Sequence, residues 1–269
     1  MTMDMSSSSG QLETRFFGYT QSRNVQSIET GDLVRALEIT PIQERKLLSR
    51  LSRRGLIARV RRGLYLVPPR LPAGGKWSPG EALALTSLIK DRDGRYQICG
   101  PNAFYRCGWD DQVPNRTYAY NNCISGERQI GPVTLTLIKV ADERLGATEV
   151  VTTPDGIDLV YSSRVRSLMD AVYDWSRFNT LPRAYAWIEA ELTRDDKLAA
   201  DLISVTLHYG NQGTLRRIGK LLEMKGIHAS LLRKIEKALQ PSSGLIPWIP
   251  TFPKRGKTDR RWGIVLNDG

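Results

Sequence analysis

Ten basic side chains stand within residues 31–70: Arg35, Arg45, Lys46, Arg50, Arg53, Arg54, Arg59, Arg61, Arg62 and Arg70. Only Asp32, Glu38 and Glu44 oppose them. All but one are arginine, whose planar guanidinium forks onto a phosphate or a guanine edge with two parallel donors, which a lysine ammonium cannot do. The chemistry of such a cluster is recognition of a polyanion, with an affinity that falls as salt rises. Elsewhere the chain is close to balance, with 22 basic against 20 acidic residues over 71–253, while the tail from Lys254 adds five against two. The formal charge of +11 therefore belongs to a basic front and a short basic tail.

Residues for covalent or metal chemistry do not converge in the same way. His208 and His228 fall in separate predicted helices, and Cys99, Cys107 and Cys123 include no Cys-x-x-Cys pair, which speaks against a disulfide framework and a zinc site. There is no Gly-x-Ser-x-Gly elbow, no Gly-x-Gly-x-x-Gly, and no phosphate loop, since Gly74-Gly75-Lys76 lacks the strand before and the helix after. A metal-dependent nuclease needs a carboxylate at one strand end and a carboxylate with a lysine on the next. Asp155 and Asp158 supply the first half only, and Asp195-Asp196-Lys197 falls at a helix start, where acids suit the macrodipole. Asp170 lies among apolar helical neighbours and calls for a buried partner such as Arg164 or Arg166. The sequence thus assigns no catalytic residue, no metal ligand and no cofactor.

The elements that position the basic front are legible. The polar, serine-rich residues 1–14 read as a disordered arm, and Arg15 to Ser27 as a short helix. Thr30 caps a two-turn helix carrying Leu33, Val34 and Leu37. Thr40-Pro41-Ile42-Gln43 is a capping box with proline at the first helical position, and it opens a second helix that Gly55 ends. Leu47, Leu48 and Leu51 share its inner face, so Gln43, Arg45, Lys46, Ser49, Arg50 and Arg53 turn outward. Leu56 to Val60 and Leu64 to Val67 read as strands joined by Arg61-Arg62-Gly63 and stopped by Pro68-Pro69. Helix, turn, helix, hairpin is the order of a winged helix-turn-helix domain, here over residues 15–69.

In that architecture the second helix of the pair enters the major groove. Gln43, Arg45, Lys46, Ser49 and Arg50 would meet base edges, Arg53 and Arg54 would hold phosphates, and Arg59, Arg61 and Arg62 on the wing would follow the backbone or enter the minor groove.

Pro68 to Gly75 reads as a boundary, and residues 76–269 as a mixed α/β domain, giving an α+β chain overall. Ser78-Pro79-Gly80-Glu81 has the form of a second capping box before Ala82, Leu85, Leu88 and Ile89. β-rich runs follow at 118–120, 133–140, 149–153 and 157–161, then helical segments near 164–175, 182–193, 196–209, 212–225 and 229–239. Trp262 to Leu266 is expected as a last strand returning to the sheet. Trp175, Tyr185 and Trp187 read as core; Arg216, Arg217 and Lys220 read as a solvated or binding face opposite Leu215, Ile218, Leu221 and Leu222. The tail, with Lys254, Arg255, Lys257, Arg260 and Arg261, is a candidate second contact to phosphate or a partner. No stretch has the roughly 18 apolar residues of a membrane helix, and the N-terminus carries no signal pattern, so the expected compartment is the cytoplasm.

The run from Thr30 to Pro68, with its Leu48-to-Ile57 core and its Arg61-Arg62-Gly63-Leu64-Tyr65 wing, resembles the AbiEi family of antitoxins and transcriptional regulators. Similar segments follow at Tyr96 to Gly100 with Ala103-Phe104, Asp111 to Thr117, Ser163 to Ala171, Leu215 to Leu222 and Gly244 to Asn267. The resemblance implies the antitoxin of a type IV toxin-antitoxin system: a repressor of its own operon that binds inverted repeats in double-stranded DNA through the winged helix. It also implies a nucleotidyltransferase-like toxin as partner and cooperative self-association on DNA. Two alternatives stay open at this point: a protein-interaction antitoxin module with only secondary DNA binding, and a nuclease targeted by a winged helix.

Overall fold

The computed structural model describes residues 5–72, 74–195, 197–241 and 244–267, with side chains from residue 10 onward. Residues 1–4 of the expected arm, and Asp196, lie outside the described residues. The first unit runs α1 (Met5–Ser22), β1 (Ser27–Glu29), α2 (Asp32–Ala36), α3 (Pro41–Arg53), β2 (Ala58–Arg61) and β3 (Leu64–Leu66). Its antiparallel strands lie in the order β1-β3-β2, the arrangement of a winged helix.

Local chemistry accounts for α3. Thr40 Oγ1 accepts the Gln43 amide at 3.2 Å while Gln43 Oε1 accepts the Thr40 amide at 2.8 Å, closing the capping box, and Pro41 needs no donor at the first position. Leu47, Leu48 and Leu51 are buried against Phe16, Phe17, Ile28, Leu33 and Val67. Glu44 is fully buried on the same helix, and its carboxylate accepts the amides of Gly31 and Leu33 at 2.8–2.9 Å. A carboxylate of α3 thus caps the start of α2 and fixes how the two helices meet.

Residues 5–14 are helical, which corrects the expectation of a disordered arm. Serines carry little helix propensity of their own, but Leu12, Phe16 and Phe17 recur at helical spacing and pack into the α3 core, so tertiary burial extends the helix through the polar run. The helix ends at Ser22, and Ser27 opens the three-residue strand β1, too short to show a period in sequence.

The second unit begins with α4 (Gly80–Lys90), β4 (Tyr96–Ile98), α5 (Pro101–Arg106), β5 (Thr117–Asn121), β6 (Gly126–Ile130), β7 (Val133–Lys139), β8 (Thr148–Thr152) and β9 (Asp158–Ser162). These strands form one mixed sheet in the order β6-β7-β5-β4-β9-β8. A helical layer follows, α6 (Arg164–Tyr173), α7 (Trp175–Phe178), α8 (Arg183–Arg194), α9 (Leu198–Tyr209), α10 (Gln212–Met224) and α11 (Ala229–Ala238). The chain closes with β10 (Ile246–Pro247), β11 (Lys257–Asp259) and β12 (Ile264–Leu266).

Three expectations for this unit are corrected. Ser78 makes no capping bond; Pro79 takes the cap position, and Glu81 instead accepts the Thr117 hydroxyl at 2.9 Å, tying α4 to β5. β12 does not return to the large sheet but sits between β10 and β11 in a sheet of its own. Arg216 and Arg217 are buried, donating to the carbonyls of Gly244 at 2.8 Å and Pro247 at 3.1 Å, so they hold the C-terminal segment onto α10 and form no solvated face. Lys220 pairs with Asp259 at 2.7 Å and Glu223 at 3.0 Å.

The two units share a core. Ala58 and Leu66 of the hairpin belong to the same buried cluster as Leu85, Leu88 and Ile89 of α4 and Ile130, Leu135 and Leu137 of the sheet. Trp77 donates its amide to the Gly55 carbonyl at 2.8 Å, stitching the connecting run to the end of α3. A further cluster unites the helical layer, with Tyr185 stacked on Trp248 at 3.9 Å and Trp262 buried beside Ile218.

Candidate nucleic-acid interface

The outer face of α3 presents Gln43, Arg45, Lys46, Ser49 and Arg53 to solvent, with Arg50 half-buried beside them. Arg45, Lys46, Ser49, Arg50 and Arg53 line one open depression along the helix. The helix's one acid, Glu44, points inward, so this face carries no opposing charge of its own. Lys46 and Arg53 make no side-chain hydrogen bond or ion pair among the described residues.

Four of the sequence-predicted contacts on α3 and at its end are already engaged. Gln43 Oε1 serves the capping box, which leaves its Nε2 donor for a ligand and removes the two-point contact to adenine unless the cap opens. Arg50 Nε donates to Glu13 Oε1 at 2.9 Å, and Arg54 Nη1 donates to both oxygens of the same carboxylate at 2.9 and 2.7 Å. Arg45 Nε donates to the Pro41 carbonyl at 3.2 Å, lying back along its own helix.

On the hairpin, Arg59 and Arg62 are exposed and their guanidinium groups are free of partners among the described residues. Arg61 is not: its Nε and Nη2 clasp Asp91 at the end of α4, at 2.7 and 2.6 Å, with Glu29 3.5 Å away. The Arg61 guanidinium holds the Asp91 carboxyl below its ordinary range. Gly63 supplies the left-handed backbone of the turn at φ 88°.

Sequence reasoning missed two residues of this region. Ile42 is 57% exposed in the first turn of α3, where an apolar side chain meets the thymine methyl group in groove-binding helices. Its signal was an apolar residue at an outward position. Glu13 was hidden because its neighbours read as unstructured.

Titratable groups elsewhere are absorbed by structure. Asp170 lies fully buried between Arg166 at 3.0 Å and Arg144 at 3.1 Å; burial pushes its carboxyl upward against both cations. Arg164 reaches Glu191 instead, which is drawn down to about 2 by that bond and by the Trp109 indole. His228 caps α11 through Ser230, and His208 stands exposed, edge-on to Tyr209. Asp158 accepts the Thr152 hydroxyl across the β8–β9 hairpin. Among the described residues no group of three or more His, Cys, Asp or Glu could hold a metal ion, and no helix is long and apolar enough to cross a membrane.

Residues 27–68 match the family described as transcriptional regulator, AbiEi antitoxin. No curated protein matches the chain. Among solved structures, the crystal structure of RV2827C protein from Mycobacterium tuberculosis is similar at 14% sequence identity and a TM-score of 0.57. That similarity covers 93% of this chain and 89% of that one, a likeness of fold across both units. From β1 to the proline after the hairpin, the chain is thus similar to the AbiEi antitoxin family of transcriptional regulators.

Proposed function

We propose that the protein is a sequence-specific binder of double-stranded DNA that represses its own operon as the antitoxin of a type IV toxin-antitoxin system. The observation that carries this reading is the outer face of α3, where Arg45, Lys46, Ser49, Arg50 and Arg53 share one open depression while the helix's single acid is turned inward. An α-helix fits the major groove, and these side chains carry donors for guanine edges and phosphates. Arg59 and Arg62 on the hairpin supply phosphate contacts beside it. The reading assigns no catalytic residue and no cofactor. The partners are an operator with inverted repeats, further copies of the chain bound cooperatively on it, and a nucleotidyltransferase-like toxin met by the second unit; the compartment is the cytoplasm.

The test is a salt-titrated binding assay on the DNA immediately upstream of the gene, beside a scrambled duplex of equal length. A groove-reading helix with about six phosphate contacts prefers the upstream DNA and loses affinity about a thousandfold between roughly 50 and 200 mM salt. Equal binding to both duplexes would remove the sequence-specific part of the reading, and no binding to either would remove the whole of it.

A further inference from the structure

A second concentration of positive charge lies at the far end of the chain, away from the winged helix in sequence. Between residues 226 and 267 stand Arg233, Lys234, Lys237, Lys254, Arg255, Lys257, Arg260 and Arg261, with Glu236 and Asp259 as the only acids. Both acids are spent: Arg261 bonds Glu236 together with Glu223, and Asp259 is held by Lys220. The other seven cations are exposed, and none has a hydrogen-bonding or ionic partner for its side chain among the described residues. Arg261 also joins the two halves of this set, because its guanidinium reaches from the tail to Glu236, one residue before Lys237 on the outer face of α11.

This surface is held in place. Asn267 accepts the Ile249 amide at 2.9 Å and donates to the carbonyls of Ile249, Phe252 and Pro253 at 3.0–3.3 Å, which staples the turn that presents Lys254 and Arg255. Lys257 leads β11, paired to β12. Repulsion among seven unpaired like charges on one small unit opposes folding, and a polyanion relieves it. At the head of the turn Phe252 is 49% exposed, though its neighbours Trp248 and Ile249 are buried. An aromatic face in water, followed by lysine and arginine on a fixed turn, is the combination that stacks a base and neutralises the phosphates beside it. In duplex DNA the base faces are covered, so the ring favours an unpaired strand.

We infer that the turn from Ile249 to Lys257 forms a binding surface for single-stranded nucleic acid, with Phe252 as stacking platform and Lys254, Arg255 and Lys257 as phosphate contacts. It is separate from the duplex-reading face of α3 and does not depend on that reading.

The test uses the full chain and a fluorescent, unstructured oligonucleotide of about 12 nucleotides, within the span that one such module covers. Ribose and deoxyribose strands and a duplex of the same sequence form the arms. The expected result is binding of one or both single strands that falls about five- to a hundredfold in Phe252→Ala and equally in Phe252→Leu, which keeps apolar area without a ring face. Joint Lys254→Glu, Arg255→Glu and Lys257→Glu substitution abolishes it with thermal stability unchanged or raised, since these side chains bond to nothing else among the described residues and their reversal relieves repulsion. The ribose and deoxyribose arms identify which strand is the ligand. Single-strand binding that survives the charge reversal, full binding by the leucine variant, or a loss confined to the duplex overturns the proposal. Polyglutamate bound at this surface as tightly as the oligonucleotide would give it to an acidic protein, and overturns it as well.

Discussion

Glu13 and Arg54 face each other across the gap between α1 and α3, Arg54 Nη1 lying 2.9 and 2.7 Å from the two carboxylate oxygens, and the same carboxylate takes Nε of Arg50 at 2.9 Å. One acid thus sets the direction of two arginines on the face proposed to read DNA. Removing it with Glu13→Ala frees both guanidinium groups to sample other rotamers. The expected outcome is a loss of about three- to tenfold in the preference for upstream over scrambled duplex, with Glu13→Gln in between. A variant that loses thermal stability and keeps its preference would show that the pair serves only to fasten α1.

Arg50 and Arg62 occupy different places, α3 and the hairpin, and their alanine variants test the proposed division between base reading and backbone contact. Arg62→Ala is expected to weaken all duplexes alike and lower the salt slope by about 0.9. Arg50→Ala should relax the preference at one base position. Competition binding with single-base operator variants checks this, and identical profiles for the two substitutions would contradict the assignment.

Asp91 pairs with the exposed Arg61 of the hairpin and occupies its guanidinium donors. Its carboxyl titrates below the ordinary range because the charged form is bonded to that guanidinium. The contribution of the pair is complete above the unfolded value and fades only as pH falls through the lowered one, so the clasp is closed at neutral pH. Asp91→Ala should raise affinity for any duplex and steepen its salt slope by up to about 0.9, as one more cation reaches a phosphate. An unchanged slope would place Arg61 outside the contact.

Glu191 gives an acid-stability test free of any ligand. Its folded value is about 2 against an ordinary 4.5, chiefly through the bond from Arg164. Stability from this site is present above pH 4.5 and is lost as pH falls from there to about 2. Glu191→Gln should cost about 1.5–3 kcal/mol at neutral pH in urea denaturation, and the gap from the parent should close across that acid window. A gap that stays constant with pH would mean that the charge contributes nothing.

Gly219 sits where α10 meets the Trp262 ring, and a Cβ there would lie 2.1 Å from Cζ3. Alanine favours a helix over glycine by about 1 kcal/mol, but overpacking costs about 1–3 kcal/mol in an unyielding core. Gly219→Ala is therefore expected to lower the thermal midpoint, which a melting curve checks.

The parts of this architecture that declare themselves in sequence are those fixed by neighbours along the chain. Thr40, Pro41 and Gln43 specify the start of α3 by their own bonds, and Leu47, Leu48 and Leu51 mark its inner face. What escaped depends on partners distant in sequence. Glu13 reaches Arg54 across 41 residues, and Arg61 reaches Asp91 across 30. Arg216 and Arg217 have the spacing of a solvated stripe, yet they are buried because the C-terminal segment folds over them and offers carbonyls. Composition locates the basic front, but it does not say which of its arginines are already paired.

Ala58 and Leu66 lie in one buried cluster with α4 and the large sheet, and this bears on how the N-terminal unit could change hands in evolution. The proline-rich run after the hairpin looks like a natural place to cut. A fragment severed there would leave with an uncovered apolar flank, prone to aggregate, and the body would keep the matching bare patch. Recombination that transplants this unit intact has to carry α4 and the β6–β7 edge with it, so the heritable module is longer than the segment its family signature marks.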